Sequence, residues 1–87
     1  MTRSPQELAD NLRRRVPAAV ASVEQQHGLY LHDALNRRAL PESQALIRGL
    51  VLELHSRHWA PIEIARWLDT DERAVRRAIT NQKAPSP

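Results

Sequence analysis

Proline stands at positions 5, 17, 41 and 61, and after each one the apolar residues fall three and four apart. Proline suits the first position of a helix, where its missing N–H is not needed, and it holds the residue before it in extended backbone. The four prolines therefore both open helices and close the preceding ones, and no segment shows the period-two alternation of a strand. Ser4-Pro5-Gln6-Glu7 has the form of a capping box, followed by Leu8, Leu12 and Val16 at helical spacing, which predicts a helix from about residue 5 to 15. Pro17 opens a second, Ala18 to His27, carrying Val20 and Val23 and closed by Gly28. A third runs from about Leu31 to Ala39, with Leu31, Ala34 and Leu35 on one side.

The segment from Pro41 is the most apolar. Leu46, Ile47, Leu50, Val51 and Leu54 form one broad stripe, and Ala45 and Leu52 fall outside it. A helix apolar on more than one side belongs in the centre, with the C-terminal helices on one flank and the N-terminal helices, or a partner chain, on the other. Two short helices follow, Pro61 to Leu68 and about Glu72 to Gln82, separated by Asp69-Thr70-Asp71. The fold class expected is all-α, with about six short helices.

Length sets the scale of the core. A chain of 87 residues makes one small domain, and at that size only about 60% of the unfolded surface is buried on folding. A second copy of the chain is thus a source of missing core. The organisation expected is an N-terminal helical region, 1–41, with a possible dimerisation role, a functional region at 42–83, and a disordered tail at 84–87. Without cysteine there are no disulfides or thiolate metal sites. No apolar run reaches a membrane span, and Met1 to Pro5 lacks the apolar stretch of a signal peptide, so a cytoplasmic location is expected. The charge of +3 comes from twelve arginines and one lysine against ten acids. Arginine carries a flat donor fork suited to phosphates and guanine edges. A compositional bias would give the same totals, so positions have to decide.

The stretch Pro61-Ile62-Glu63-Ile64-Ala65-Arg66-Trp67-Leu68-Asp69-Thr70-Asp71-Glu72-Arg73-Ala74-Val75-Arg76-Arg77-Ala78-Ile79 resembles a helix-turn-helix of the trihelical type found in sigma-factor DNA-binding regions, resolvases and transposase N-terminal domains. Ala65 sits where that family has a small residue at the helix crossing, and Ile64, Leu68, Val75 and Ile79 take its apolar positions, with Ala74 and Ala78 small enough for close approach. The turn position usually held by Gly is Asp69, a residue that tolerates positive φ better than most. Thr70 replaces a usual aliphatic, and Asp71 replaces the usual Ser or Thr N-cap. The resemblance implies that the last helix enters the major groove of DNA.

That helix makes its own case. Arg73, Arg76, Arg77 and Thr80 lie at i, i+3, i+4 and i+7 on one side, opposite Val75, Ala78 and Ile79, and no acid follows Glu72 through Lys83. If the family's docking mode holds, Arg73, Arg76 and Arg77 divide base and phosphate contacts, with Thr80 and Lys83 beside them and Arg66 on the phosphate backbone. Glu72 suits the helix N-terminus, or alternatively accepts from a cytosine amino group; Asp71 reads as a cap. Trp59 reads as a core plug rather than a base-stacking platform, and Trp67 as a partly exposed cover for the first helix or an interface.

Other chemistry finds little footing. His55 and His58 are three apart but lack a third ligand, and no phosphate loop, nucleophile elbow or paired-carboxylate site is present, so neither an enzyme nor a metal, cofactor or small-molecule site is expected. Arg13-Arg14-Arg15 and Arg37-Arg38 read as solvated helix ends. The expected function is a transcriptional repressor that binds a palindromic operator in double-stranded DNA as a homodimer. The size and composition resemble regulators of plasmids or phages, and a short chain leaves little room for a sensing domain. The competing reading is a helical protein-interaction module, such as an inhibitor, antitoxin or adaptor; Asp69, Asp71 and Glu72 fit it better.

Overall fold

A computed structural model describes residues 3–83, with the side chains of 3–81. The tail at 84–87 and the Lys83 side chain lie outside the described residues. Six helices and no strand occur among the described residues: α1 Pro5–Arg15, α2 Pro17–His27, α3 Leu31–Asn36, α4 Pro41–Ser56, α5 Pro61–Leu68 and α6 Glu72–Lys83. The all-α class is therefore as the proline pattern and periodicity require.

The caps explain the boundaries. Ser4 Oγ accepts from the amide of Glu7 at 3.2 Å, satisfying one of the free amides of α1. Gly28 closes α2 with φ 65°, and its N–H donates to Glu24 O at 2.9 Å. The ends of α4 and α5 are built alike, each as a Schellman motif. Trp59 N–H reaches Leu54 O and His58 N–H reaches His55 O, while Thr70 N–H reaches Ala65 O and Asp69 N–H reaches Arg66 O. The left-handed residue of each motif is not glycine: His58 has φ 70° and Asp69 has φ 53°. Relief of that backbone strain should make Asp69→Gly more stable by about 0.5–1 kcal/mol, read as a raised denaturant midpoint with an unchanged slope.

One boundary differs from expectation. α3 stops at Asn36 rather than Ala39, and Arg37 leaves helical geometry at φ −124°, ψ 53°. The amide of Arg37 is shared between Asp33 O and Ala34 O, and the chain turns over residues 37–39 before the extended Leu40 that Pro41 requires.

α4 is the axis of the molecule. α2 and α3 cover one flank and α5 and α6 the other, with α1 laid across α2, α3 and α5. The second flank, for which the sequence allowed either the N-terminal helices or a partner, is covered by this chain's own α2 and α3. Leu8, Leu12, Val20, Val23, Leu31 and Leu35 from the first 41 residues share one buried cluster with Leu46, Leu50, Leu54, Ile64, Leu68 and Val75. The radius of gyration, 12.1 Å, equals the roughly 12 Å of a compact chain this long, as one shared core requires. α2 crosses α4 at Gly49, where an added Cβ would lie 3.2 Å from His27 Nε2 and 3.8 Å from Val23 Cγ1. Trp59 and Trp67, both half-buried, meet edge to face with ring centroids 5.6 Å apart. Trp59 thus plugs the core margin rather than standing free to stack.

Candidate nucleic-acid interface

The site begins with what holds α6 still. Val75 and Ile79 are buried, Ala78 is half-buried, and all three face α4 and α5. Ala65, expected at the crossing, is buried, and of the two residues expected to allow close approach Ala78 is half-buried and Ala74 exposed. The preceding turn is fixed at both ends. Asp71 O accepts from the amide of Val75 at 3.2 Å, and its carboxylate makes none of the described hydrogen bonds, so the N-cap role expected of that side chain is not seen. Thr70, where an aliphatic residue is usual, is half-buried.

The turn is also gripped from the N-terminal half. Arg38 donates through Nη2 to Leu68 O at 2.6 Å, through Nη1 to Asp69 O at 3.4 Å, and through Nε to Leu35 O at 3.3 Å. One guanidinium therefore joins the end of α3 to the end of α5, where the last carbonyls of a helix carry partial negative charge. Arg38 is half-buried rather than a solvated helix end. Arg38→Ala should cost about 1.5–3 kcal/mol, because three charge-assisted hydrogen bonds are lost, the one to Asp69 O a long one, and the carbonyls left behind are poorly solvated. Arg38→Lys should recover little of this, since one ammonium cannot span the fork's acceptors; thermal unfolding of the two variants checks both statements.

Arg13 is likewise not a free helix end. It makes a two-pronged pair with Glu24 at 3.0 and 2.9 Å, and Glu24 also accepts from the amide of Leu31 at 2.7 Å. The hydrogen bond to Glu24 raises the Arg13 pKa above its ordinary value, with burial opposing it. That triad ties α1, α2 and the start of α3 together.

On the outward side of α6, Arg73, Arg76, Arg77 and Thr80 are all exposed. They are not equivalent. Arg76 donates through Nε to Glu72 Oε2 at 2.6 Å, an i, i+4 pair that draws its fork back toward the helix start. The Glu72 carboxylate is thereby engaged by Arg76 at the start of the helix. Arg73 and Arg77 make none of the described hydrogen bonds and stand with Thr80 along the exposed ridge. Asn81 is also exposed on this ridge, one turn beyond Arg77. It continues the i, i+4 series of Arg73 and Arg77, a spacing visible in the sequence.

Arg66, on α5, is exposed but lines a groove with Arg3, Asp69, Asp71 and Glu72, where carboxylates outnumber arginines. Across α6, a second groove against α4 is lined by Arg38, Arg48 and Arg77 together with Gln44, Thr70 and Asn81, and by no acid. Arg48 was not singled out from the sequence, because which flank of α4 meets α6 is settled only by packing. Among the described residues no group of three or more His, Cys, Asp or Glu is placed to hold a metal ion, and no helix is long and apolar enough to cross a membrane.

The chain matches no protein-family model, no curated protein and no solved structure with which it was compared.

Proposed function

We propose that the chain is a sequence-specific DNA-binding regulator of transcription, a repressor acting as a homodimer, which inserts α6 into the major groove. The observation that carries this reading is the ridge Arg73, Arg77, Thr80 and Asn81, exposed on a helix whose opposite face is anchored by Val75 and Ile79. A helix about 10–12 Å across fits a major groove about 12 Å wide. Anchoring keeps the helix that carries the guanidinium forks at a fixed height and angle, from which bidentate recognition of guanine can be made. Thr80 and Asn81 add neutral groups able to distinguish adenine and thymine edges. Arg76, held by Glu72, and Arg66 on α5 supply phosphate contacts beside them.

A single helix reads only three or four base pairs, so one copy selects weakly among genomic sites. Two copies related by a two-fold axis would place their α6 helices about 34 Å apart, one turn of DNA, over a pseudo-palindrome. The carboxylates of Asp69, Asp71 and Glu72 near the start of α6 favour a second reading, a module that binds another protein. Selection of bound duplexes from a randomised pool, repeated at two salt concentrations, separates the two. A DNA-binding chain returns an enriched motif whose binding weakens steeply with salt. No enrichment, together with a tight protein partner, would reject the DNA reading.

A further inference from the structure

We propose that the groove between α4 and α6 seats the phosphate backbone of one DNA strand, with Arg48 as its donor. This rests on the reading of α6 as the helix that enters the major groove. A helix that nearly fills that groove brings whatever packs along its sides against the two strand walls. The two sides of α6 differ. On the α5 side the groove mixes Arg3 and Arg66 with Asp69, Asp71 and Glu72. On the α4 side it holds Arg38, Arg48 and Arg77 and no acid.

Each arginine of the α4 groove has its own part. Arg48 is exposed on α4 and makes none of the described hydrogen bonds, so its fork is uncommitted. Arg77 lies on the edge of the α6 ridge nearest α4, able to turn toward a phosphate or a base. Arg38 has its donors on Leu68 O and Asp69 O, and adds a fixed positive charge without spending further hydrogen bonds. Asn81 and Gln44 line the same groove as neutral donors. Charge complementarity selects an anionic backbone as occupant, and it gives the complex a direction: the strand on the α4 side is gripped more tightly than the strand on the α5 side, where Arg66 acts among carboxylates.

The test is fluorescence anisotropy with two labelled duplexes of unrelated sequence, titrated with salt. Arg48→Gln is expected to weaken both duplexes by a similar factor and to lower the slope of log affinity against log salt by about one, the signature of one lost phosphate contact. Arg48→Lys is expected to keep the slope, since a phosphate accepts a point charge. Arg66→Gln should change the slope by less than half as much as Arg48→Gln. If the unaltered chain binds duplexes and Arg48→Gln leaves affinity and slope unchanged, the groove assignment is wrong while the reading of α6 survives. If the unaltered chain binds no duplex, the α6 reading itself fails. A polyglutamate peptide bound by such a chain and lost with Arg48→Gln would assign the groove to an acidic protein instead.

Discussion

A chain carrying both Arg73→Ala and Arg77→Ala is expected to fold as before and to lose its preferred DNA sequence. Both side chains are exposed and make none of the described hydrogen bonds, and alanine is the best helix former, so stability should stay within about 0.5 kcal/mol. Each arginine that makes a bidentate guanine contact contributes about 1–3 kcal/mol of discrimination, so the pair should cost about 2–6 kcal/mol. At about 1.4 kcal/mol per decade, that is a drop of roughly 30-fold to 10⁴-fold on the selected sequence, with a much smaller drop on random duplex. Arg76→Ala should do less. It forfeits a pair with Glu72 as well as a DNA contact, and it frees a carboxylate beside the interface. Gel shifts on the selected duplex and on a scrambled one measure all three effects. Equal binding by the doubly substituted chain and its parent would remove α6 as the reading element.

Where the sequence was legible, a local rule was at work. Pro5, Pro17, Pro41 and Pro61 each open the helix they were expected to open, because the rule concerns one residue and its predecessor. Asp69 takes the left-handed turn expected of its position, although His58, which does the same after α4, gave no comparable sign. Where partners are distant, the sequence was silent. Arg38 holds the turn after α3 to the end of α5 through acceptors some 30 residues away. The same distance problem hid Arg48, which matters only once α6 is laid beside it. Gly49 is partly legible: a glycine inside an apolar helix marks a close approach, but only the packing shows that α2 is what approaches. The exposed ridge of α6 was legible in outline because helical periodicity alone decides which side its residues share. Its internal division follows the same rule: among the three arginines only Arg76 stands four residues from Glu72, and it is the one tied to that carboxylate.

Leu50→Ala is expected to be the most damaging single change to the fold. Leu46, Leu50 and Leu54 repeat every four residues along α4 and are fully buried, and α4 touches both the N-terminal and the C-terminal helices. Truncating such a leucine costs about 2–5 kcal/mol, the transfer of its methyl groups plus the cavity they leave. A chain of 87 residues at about 0.05–0.15 kcal/mol per residue has only about 4–13 kcal/mol in total. The substitution therefore removes a large share of the stability, and the midpoint of thermal unfolding should fall by roughly 10–40 °C. Leu52→Ala, at a half-buried position off the main stripe, should cost well under half as much. Circular dichroism melts of the two variants measure the difference, and similar midpoints would show that α4 is not the axis on which both halves depend. Binding separates this damage from loss of the interface. Leu50→Ala should bind DNA in proportion to its folded fraction and recover on mild cooling toward maximal stability, whereas the Arg73 and Arg77 variant should stay deficient at every temperature. The arginine ridge needs a rigid support, and that support is α4: removing its central leucine should silence the ridge without touching a single charge on it.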